Sequence, residues 1–183
     1  MLKKHTVRIG MKKVIVITAI VVAVAVGILF ATDAFGISAN NLEEDARKNQ
    51  RIGIEWAVSK SINEKLGAMI FYNDTLDSHI FSIYVKRGGL SFGYFFRAGG
   101  SDSQIANGIR EFNFPTPYDI NGSALISMNK DNVVRIEIDN DVEIIVINVD
   151  PNKPFAVVIP INPGSVTLYD VDDNIVSINA SGS

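Results

Sequence analysis

Three regimes of hydrophobic patterning follow one another along this chain. The first is an unbroken apolar run, Val14–Ala31, VIVITAIVVAVAVGILFA, eighteen residues with no charge, no Pro and one Gly. Coiled as a helix it is about 27 Å long, close to the hydrocarbon thickness of a bilayer. Val and Ile occur all round it, so it lacks the single apolar stripe of a helix lying on a soluble core. The run predicts a transmembrane anchor over 14–34, and Phe35-Gly36-Ile37-Ser38 breaks the helix just beyond it.

The second regime has helical spacing. Asn41-Leu42-Glu43-Glu44 reads as an N-cap, an Asn variant of the capping box. Glu43/Arg47, Glu44/Lys48 and Lys60/Glu64 are opposite charges four residues apart. Ile52, Trp56, Ile62 and Leu66 fall on one broad side. This predicts a helix over 42–66, stopped near Gly67, weakened by Gly53 and anchored on a sheet through Trp56.

From Ala68 the period changes to two. Strands are expected at Ala68–Tyr72, His79–Lys86, Leu90–Ala98, Ile105–Phe114, Ala124–Asn129, Val133–Asp139, Val142–Val149, Phe155–Ile161, Val166–Tyr169 and Ile175–Ile178. Turn sequences separate them, among them Gly88-Gly89, Lys130-Asp131-Asn132 and Asn140-Asp141. Val142–Val149 is apolar on both faces except at Glu143 and Asn148, which predicts a central strand. In Leu90–Ala98 the side chains of Phe92, Tyr94 and Phe96 share a face expected to be buried. No βαβ alternation and no internal repeat is present. The fold class expected is therefore α+β: a mainly antiparallel β domain, sandwich or barrel-like, preceded by one helix and an N-terminal transmembrane helix. Its divisions are a stub over 1–13, an anchor over 14–34, a break and helix over 35–66, and the β domain over 67–183.

Charge sets the orientation. The stub carries Lys3, Lys4, Arg8, Lys12 and Lys13 and no acid. Basic residues beside an apolar run stay on the cytoplasmic side, so the N-terminus is expected inside and the β domain outside. A cleaved signal peptide competes with this reading, with Thr32-Asp33-Ala34 as its cleavage sequence, but the run exceeds the usual length of such segments. Twelve Lys and Arg remain outside the stub against twenty Asp and Glu. That acidic balance excludes nucleic acid as a partner and opposes contact with anionic lipid.

Candidate chemistry is sparse. The chain has no Cys, which removes disulfides, thiol nucleophiles and thiolate metal sites. Asp77-Ser78-His79 resembles a triad only in composition, since in a strand Ser78 points away from the other two. Asp170-Val171-Asp172-Asp173-Asn174 lacks the Gly and Glu of a calcium loop and reads as an acidic hairpin turn, as does Asp139-Asn140-Asp141. Gly88-Gly89 and Gly99-Gly100 lack the features of a phosphate loop, and no cofactor is expected. Glu111, Asp119, Glu137 and Glu143 are the carboxylates available for glycoside hydrolysis, with nothing in their spacing to select a pair. Three glycosylation sequons occur, at Asn73, Asn121 and Asn179. The aromatic strand running into Gly99-Gly100-Ser101-Asp102-Ser103 suggests a recognition surface at Phe95, Arg97 and Asp102. The function expected is a non-enzymatic binding or accessory protein of the cell envelope. Its partners are the lipid bilayer through residues 14–34 and an envelope protein or polysaccharide. A surface hydrolase using paired carboxylates is the competing expectation.

Overall fold

The computed structural model describes residues 3–31, 34–88, 91–114, 122–160 and 163–178. Helix α1 (Lys3–Ala31) is followed by a 3-10 turn at Ala39–Asn41 and by α2 (Leu42–Gln50). Then come β1 (Ala57–Ile62), β2 (Leu66–Tyr72), β3 (His79–Lys86), β4 (Tyr94–Gly100), the short α3 (Ser103–Asn107), β5 (Ile109–Phe114) and β6 (Gly122–Ser127). The chain closes with β7 (Val133–Asp139), β8 (Ile144–Asn148), β9 (Phe155–Ile159), β10 (Ser165–Asp170) and β11 (Ile175–Val176). Strand order is β1-β2-β3-β4 in sheet I, β5-β6-β9 in sheet II and β11-β10-β7-β8 in sheet III. All neighbouring strands pair antiparallel.

Alternation along the strands builds three cores. Leu66, Ala68 and Ile70 of β2 join Phe81, Ile83 and Val85 of β3 against Ala124 and Ile126 of β6 and Ala156 and Val158 of β9. The opposite face of sheet II, through Leu125, Phe155, Val157 and Ile159, meets Ile136, Ile138 and Leu168 of sheet III. The opposite face of sheet I, through Met69, Phe71 and Tyr84, is roofed by Leu42 and Ala46 of α2. The layers thus run helix, sheet, sheet, sheet. Sheets I and II also meet at their rims. The Val158 amide donates to Ser61 Oγ at 3.1 Å on one side, and on the other Phe81 and Phe112 have ring centroids 4.9 Å apart. The antiparallel α+β architecture is as the period-two pattern predicts.

The helix predicted over 42–66 ends at Gln50. Arg51 takes a left-handed conformation, φ 58°, and the Ile52 amide bonds back to the Arg47 carbonyl at 2.9 Å. Residues 57–62 become a strand because Ala57–Ile62 adds to the edge of β2 in register, Val58 opposite Phe71 and Lys60 opposite Met69. The helical spacing of Ile52, Trp56, Ile62 and Leu66 is a coincidence of turn and strand. Lys60 does not pair with Glu64 along a helix; its Nζ reaches Glu43 at 2.8 Å. Asn41 makes no side-chain capping bond, so the capping box is not formed. Trp56 lies beyond the helix and is only half-buried against the core beneath α2.

Two strand expectations also change. Val142–Val149 is not central: β8 is the outer strand of sheet III, and Val142 is 90% exposed. Ile105–Phe114 divides, with Ile105 buried on α3 and β5 starting at Ile109. The turns Gly88-Gly89 and Pro115–Pro117 lie wholly or partly outside the described residues.

Phe71 is fully buried between sheet I and α2, with the Arg47 guanidinium 4.9 Å from its ring centroid. Phe71→Ala is expected to cost about 3–5 kcal/mol. Trp56→Ala should cost clearly less, since the indole keeps part of its surface in water. Urea unfolding in detergent, followed by circular dichroism, reads both. Equal losses would place Trp56 in the core after all.

Candidate functional site

The three residues proposed as a recognition surface stand apart, along β4 and beyond its end. Phe95 pairs with Val85 near one end of β4, whereas Asp102 follows the other end. Arg97 is exposed at a bulge: Ile83 faces Ala98 and Tyr84 faces Phe96, leaving Arg97 as the extra residue. Phe95 is half-buried, with the Arg87 guanidinium 4.0 Å above its ring. Asp102 caps α3 by accepting the Gln104 amide at 2.8 Å and forms an ion pair with Arg110.

The expected burial of Phe92, Tyr94 and Phe96 holds only for Tyr94. Phe92 and Phe96 stand about half in solvent. Gly99-Gly100 is also no mobile loop, because it completes β4. A Cβ on Gly99 would lie 2.8 Å from the Phe81 carbonyl oxygen and from Gln50 Oε1. The missing side chain lets the Gln50 carboxamide approach, where it donates to the Phe81 carbonyl and to Ser82 Oγ.

The carboxylates named for hydrolysis are dispersed. Glu111 lies on β5 in sheet II, and Glu137 on β7 in sheet III, paired with Arg135 at 2.9 Å. Glu143 lies in the β7–β8 turn, and Asp119 is outside the described residues. Two open clefts flank α2, of 460 and 510 Å³, and neither is lined by any of these four. The acids there are Glu43, Glu44 and Asp45. Lys60 hydrogen-bonded to Glu43, with Arg47 beside it, holds that carboxyl below its ordinary range. A general acid needs the opposite shift. Asp45 accepts the Tyr84 hydroxyl at 2.7 Å. The Asp170–Asn174 segment is the predicted acidic turn, with Asp170 Oδ1 accepting the amides of Asp172 and Asn174, each at 2.9 Å. Among the described residues no group of three or more His, Asp or Glu side chains is arranged to hold a metal ion. Asn73 is occupied within its own turn, donating to Thr75 and Asp77 and accepting the Asp77 and Ser78 amides. Asn121 and Asn179 are outside the described residues.

The most distinctive surface is one the pattern did not single out. The segment leaving α1 is laced to the start of β4. Phe92 N donates to Ala34 O, Gly36 N to Phe92 O, and Ile37 and Tyr94 exchange both bonds, all at 2.6–2.7 Å. Phe35 and Phe92 stack with centroids 5.7 Å apart, and each is about half exposed, 51% and 53%. Lys86 lies over Tyr94 at 5.3 Å and Arg87 over Phe95. The two cations thus sit over Tyr94 and Phe95, the residues that follow Phe92-Gly93 in the chain. Phe35 reads in sequence only as part of a helix break, and no local pattern pairs it with Phe92. Compared with known proteins, the chain matches no family model, no curated protein and no solved structure.

Of the tempting triad, only His79 is buried. Its Nε2 accepts the Asp102 amide at 3.1 Å, and Ser101 Oγ donates to its carbonyl at 2.7 Å. Asp77 instead bonds Asn73. Burial, aided by Lys130, holds the His79 pKa below its ordinary value. A base with a depressed folded pKa stays neutral in the fold while the unfolded chain takes the proton. Its contribution to stability is intact above the unfolded value of about 6.5 and is lost as pH falls from there towards the folded value. Wild type should therefore lose stability through that window. His79→Gln, which keeps an acceptor for the Asp102 amide, should flatten that part of the profile. Parallel slopes for the two proteins would remove His79 as the cause.

Proposed function

We propose that this chain is a single-pass membrane protein of the cell envelope, N-terminus in the cytoplasm and β domain outside. On this reading it serves as a non-enzymatic binding or accessory protein, with an envelope protein or polysaccharide as its partner. One observation carries the membrane part. Val14, Ile15, Val16 and Ile17 are four consecutive residues of α1 and so point to four sides of it, and every one is more than half exposed. The domain covers no side of the helix there, and water is a poor solvent for such a surface. Among the described residues no helix is long and apolar enough to cross a membrane. The described side chains of α1 run from Lys13 to Leu29, while its backbone helix continues to Ala31, the last residue of the apolar run.

Retention of the anchor is favoured by Ala34. It is buried, its amide donates to the Leu29 carbonyl, and its carbonyl accepts the Phe92 amide. Ala34, the last residue of the candidate cleavage sequence, is thus held by the domain. The non-enzymatic reading is supported by Glu43, Asp102 and Asp170, whose carboxylates are engaged in ion pairs, a cap and a turn.

Two measurements test the proposal. Protease added to spheroplasts should digest a C-terminal tag without lysis, and the intact mass of the membrane-extracted protein should include residues 1–34. A tag protected until lysis would reverse the orientation. A mature chain beginning near Phe35 would replace the anchor with a cleaved signal.

A further inference from the structure

We infer that the Phe35–Phe92 pair, flanked by Lys86 and Arg87, is a lipid contact by which the β domain docks against the outer leaflet of its own membrane, at phosphate-bearing headgroups. The inference rests on the proposed membrane anchor. Phe35 lies four residues beyond the end of α1, so the backbone alone keeps it within about 14 Å of the helix end. Phe92 is stacked on Phe35 and bonded to its neighbours, so it occupies the same level. Chain length and hydrogen bonds set this level whatever the tilt of α1.

The chemistry suits an interface. Half-exposed aromatic rings at the end of a spanning helix belong in the boundary between headgroup and acyl chain. Lys86 holds its ammonium over the Tyr94 ring and Arg87 its guanidinium over the Phe95 ring. Cations so held can meet lipid phosphates beside the stacked rings. The backbone bonds between Ala34–Ile37 and Phe92–Tyr94 leave no loose tether at this point, so docking fixes the orientation of the whole domain.

The test uses the full chain in phosphatidylcholine–phosphatidylglycerol vesicles in two preparations, one with acyl chains brominated near the headgroup and one near the methyl end. Trp56 is the only native Trp and is replaced in every variant by W56F, so one new indole reports each site. F92W should be quenched strongly by the headgroup-side bromines and V22W, at the middle of the apolar run, by the deep ones, whereas V142W in the β7–β8 turn should be quenched by neither. Adding K86Q and R87Q should reduce the quenching of F92W and leave that of V22W intact. If V22W is not quenched, the anchor reading fails and the docking falls with it. If V22W is quenched and F92W is not, the anchor stands and the docking is wrong. Emission of F92W that shifts to the blue with protein density, without lipid quenching, would assign the surface to a second copy of the chain.

Discussion

β6 and β9 of sheet II have no solvent face, and the rest of the domain is arranged around that constraint. Along β9, Phe155, Val157 and Ile159 point into one core, and Ala156 and Val158 into the other. The strand has no position for a charged side chain. Its two faces require two covering sheets, and a covering sheet has an outer face of its own. Sheet III answers this with a half-exposed outer face. Sheet I does not: every residue of β2 is buried, so it needs a further layer, which α2 supplies. At the end of sheet II the buried polar groups are satisfied by one another and by the neighbouring backbone. Ser127 Oγ donates to the Gly108 carbonyl and accepts the Asn129 amide, while the Asn129 carboxamide binds Val133 and the Asp150 carbonyl. Asn129 thereby joins the end of sheet II to both ends of the β7–β8 hairpin.

A helix of nine residues makes a poor lid by propensity alone. Arg47 compensates. Its Nε and Nη2 donate to Glu43 on the same helix, Nη1 to the Gly53 carbonyl and Nη2 to the Trp56 carbonyl. The guanidinium also lies over Phe71 of the sheet below. One side chain thus binds the helix, the turn that ends it and the strand layer it covers. Planar, forked donors suit this use, which a lysine cannot reproduce. The same network explains why the chain turns at Arg51 rather than continuing: carbonyls of the turn, at Gly53 and Trp56, are held by a residue of the helix they leave.

Strands whose neighbours are local were legible in sequence. His79–Lys86 and Val133–Asp139 have the bounds their alternation predicts. The failures share a different cause. β1 was hidden because Ala57–Ile62 is short, carries Ser59, Lys60 and Ser61, and is a strand only because the edge of β2 pairs with it. β8 reads as a central strand by composition, yet strand order depends on which surfaces remain after the others pack, and no run of residues encodes that directly. The site was obscured in the same way. Phe92-Gly93-Tyr94-Phe95-Phe96 suggests one buried face, but a bulge at Arg97 and a bridge to residues 35–37 redirect it. Bulges and long-range bridges have no period, so patterning cannot reveal them.

Charge shows the same limit at larger scale. The part beyond the stub has twelve basic residues against twenty acidic, a balance that opposes a negative membrane if it is spread evenly. It is not spread evenly. Asp170, Asp172 and Asp173 cluster at the β10–β11 turn of sheet III, and Asp139 and Asp141 at the β7–β8 turn, whereas Lys86 and Arg87 lie where the chain leaves α1. Acids are present near that exit as well: Asp33 precedes Phe35 by two residues in the chain, Glu64 acts on Tyr94, and Glu44 and Asp45 line the cleft behind Gly36 and Ile37 together with Lys48, with Asp45 tied to Tyr84. At physiological ionic strength, fields between exposed charges fade over about 8 Å. A lipid phosphate at the exit therefore responds to the few charges beside it, not to the sum over the domain. An acidic exterior and a basic, aromatic edge beside the end of α1 are compatible because screening makes them separate electrostatic environments, and the second is the one that the proposed anchor would hold at a membrane surface.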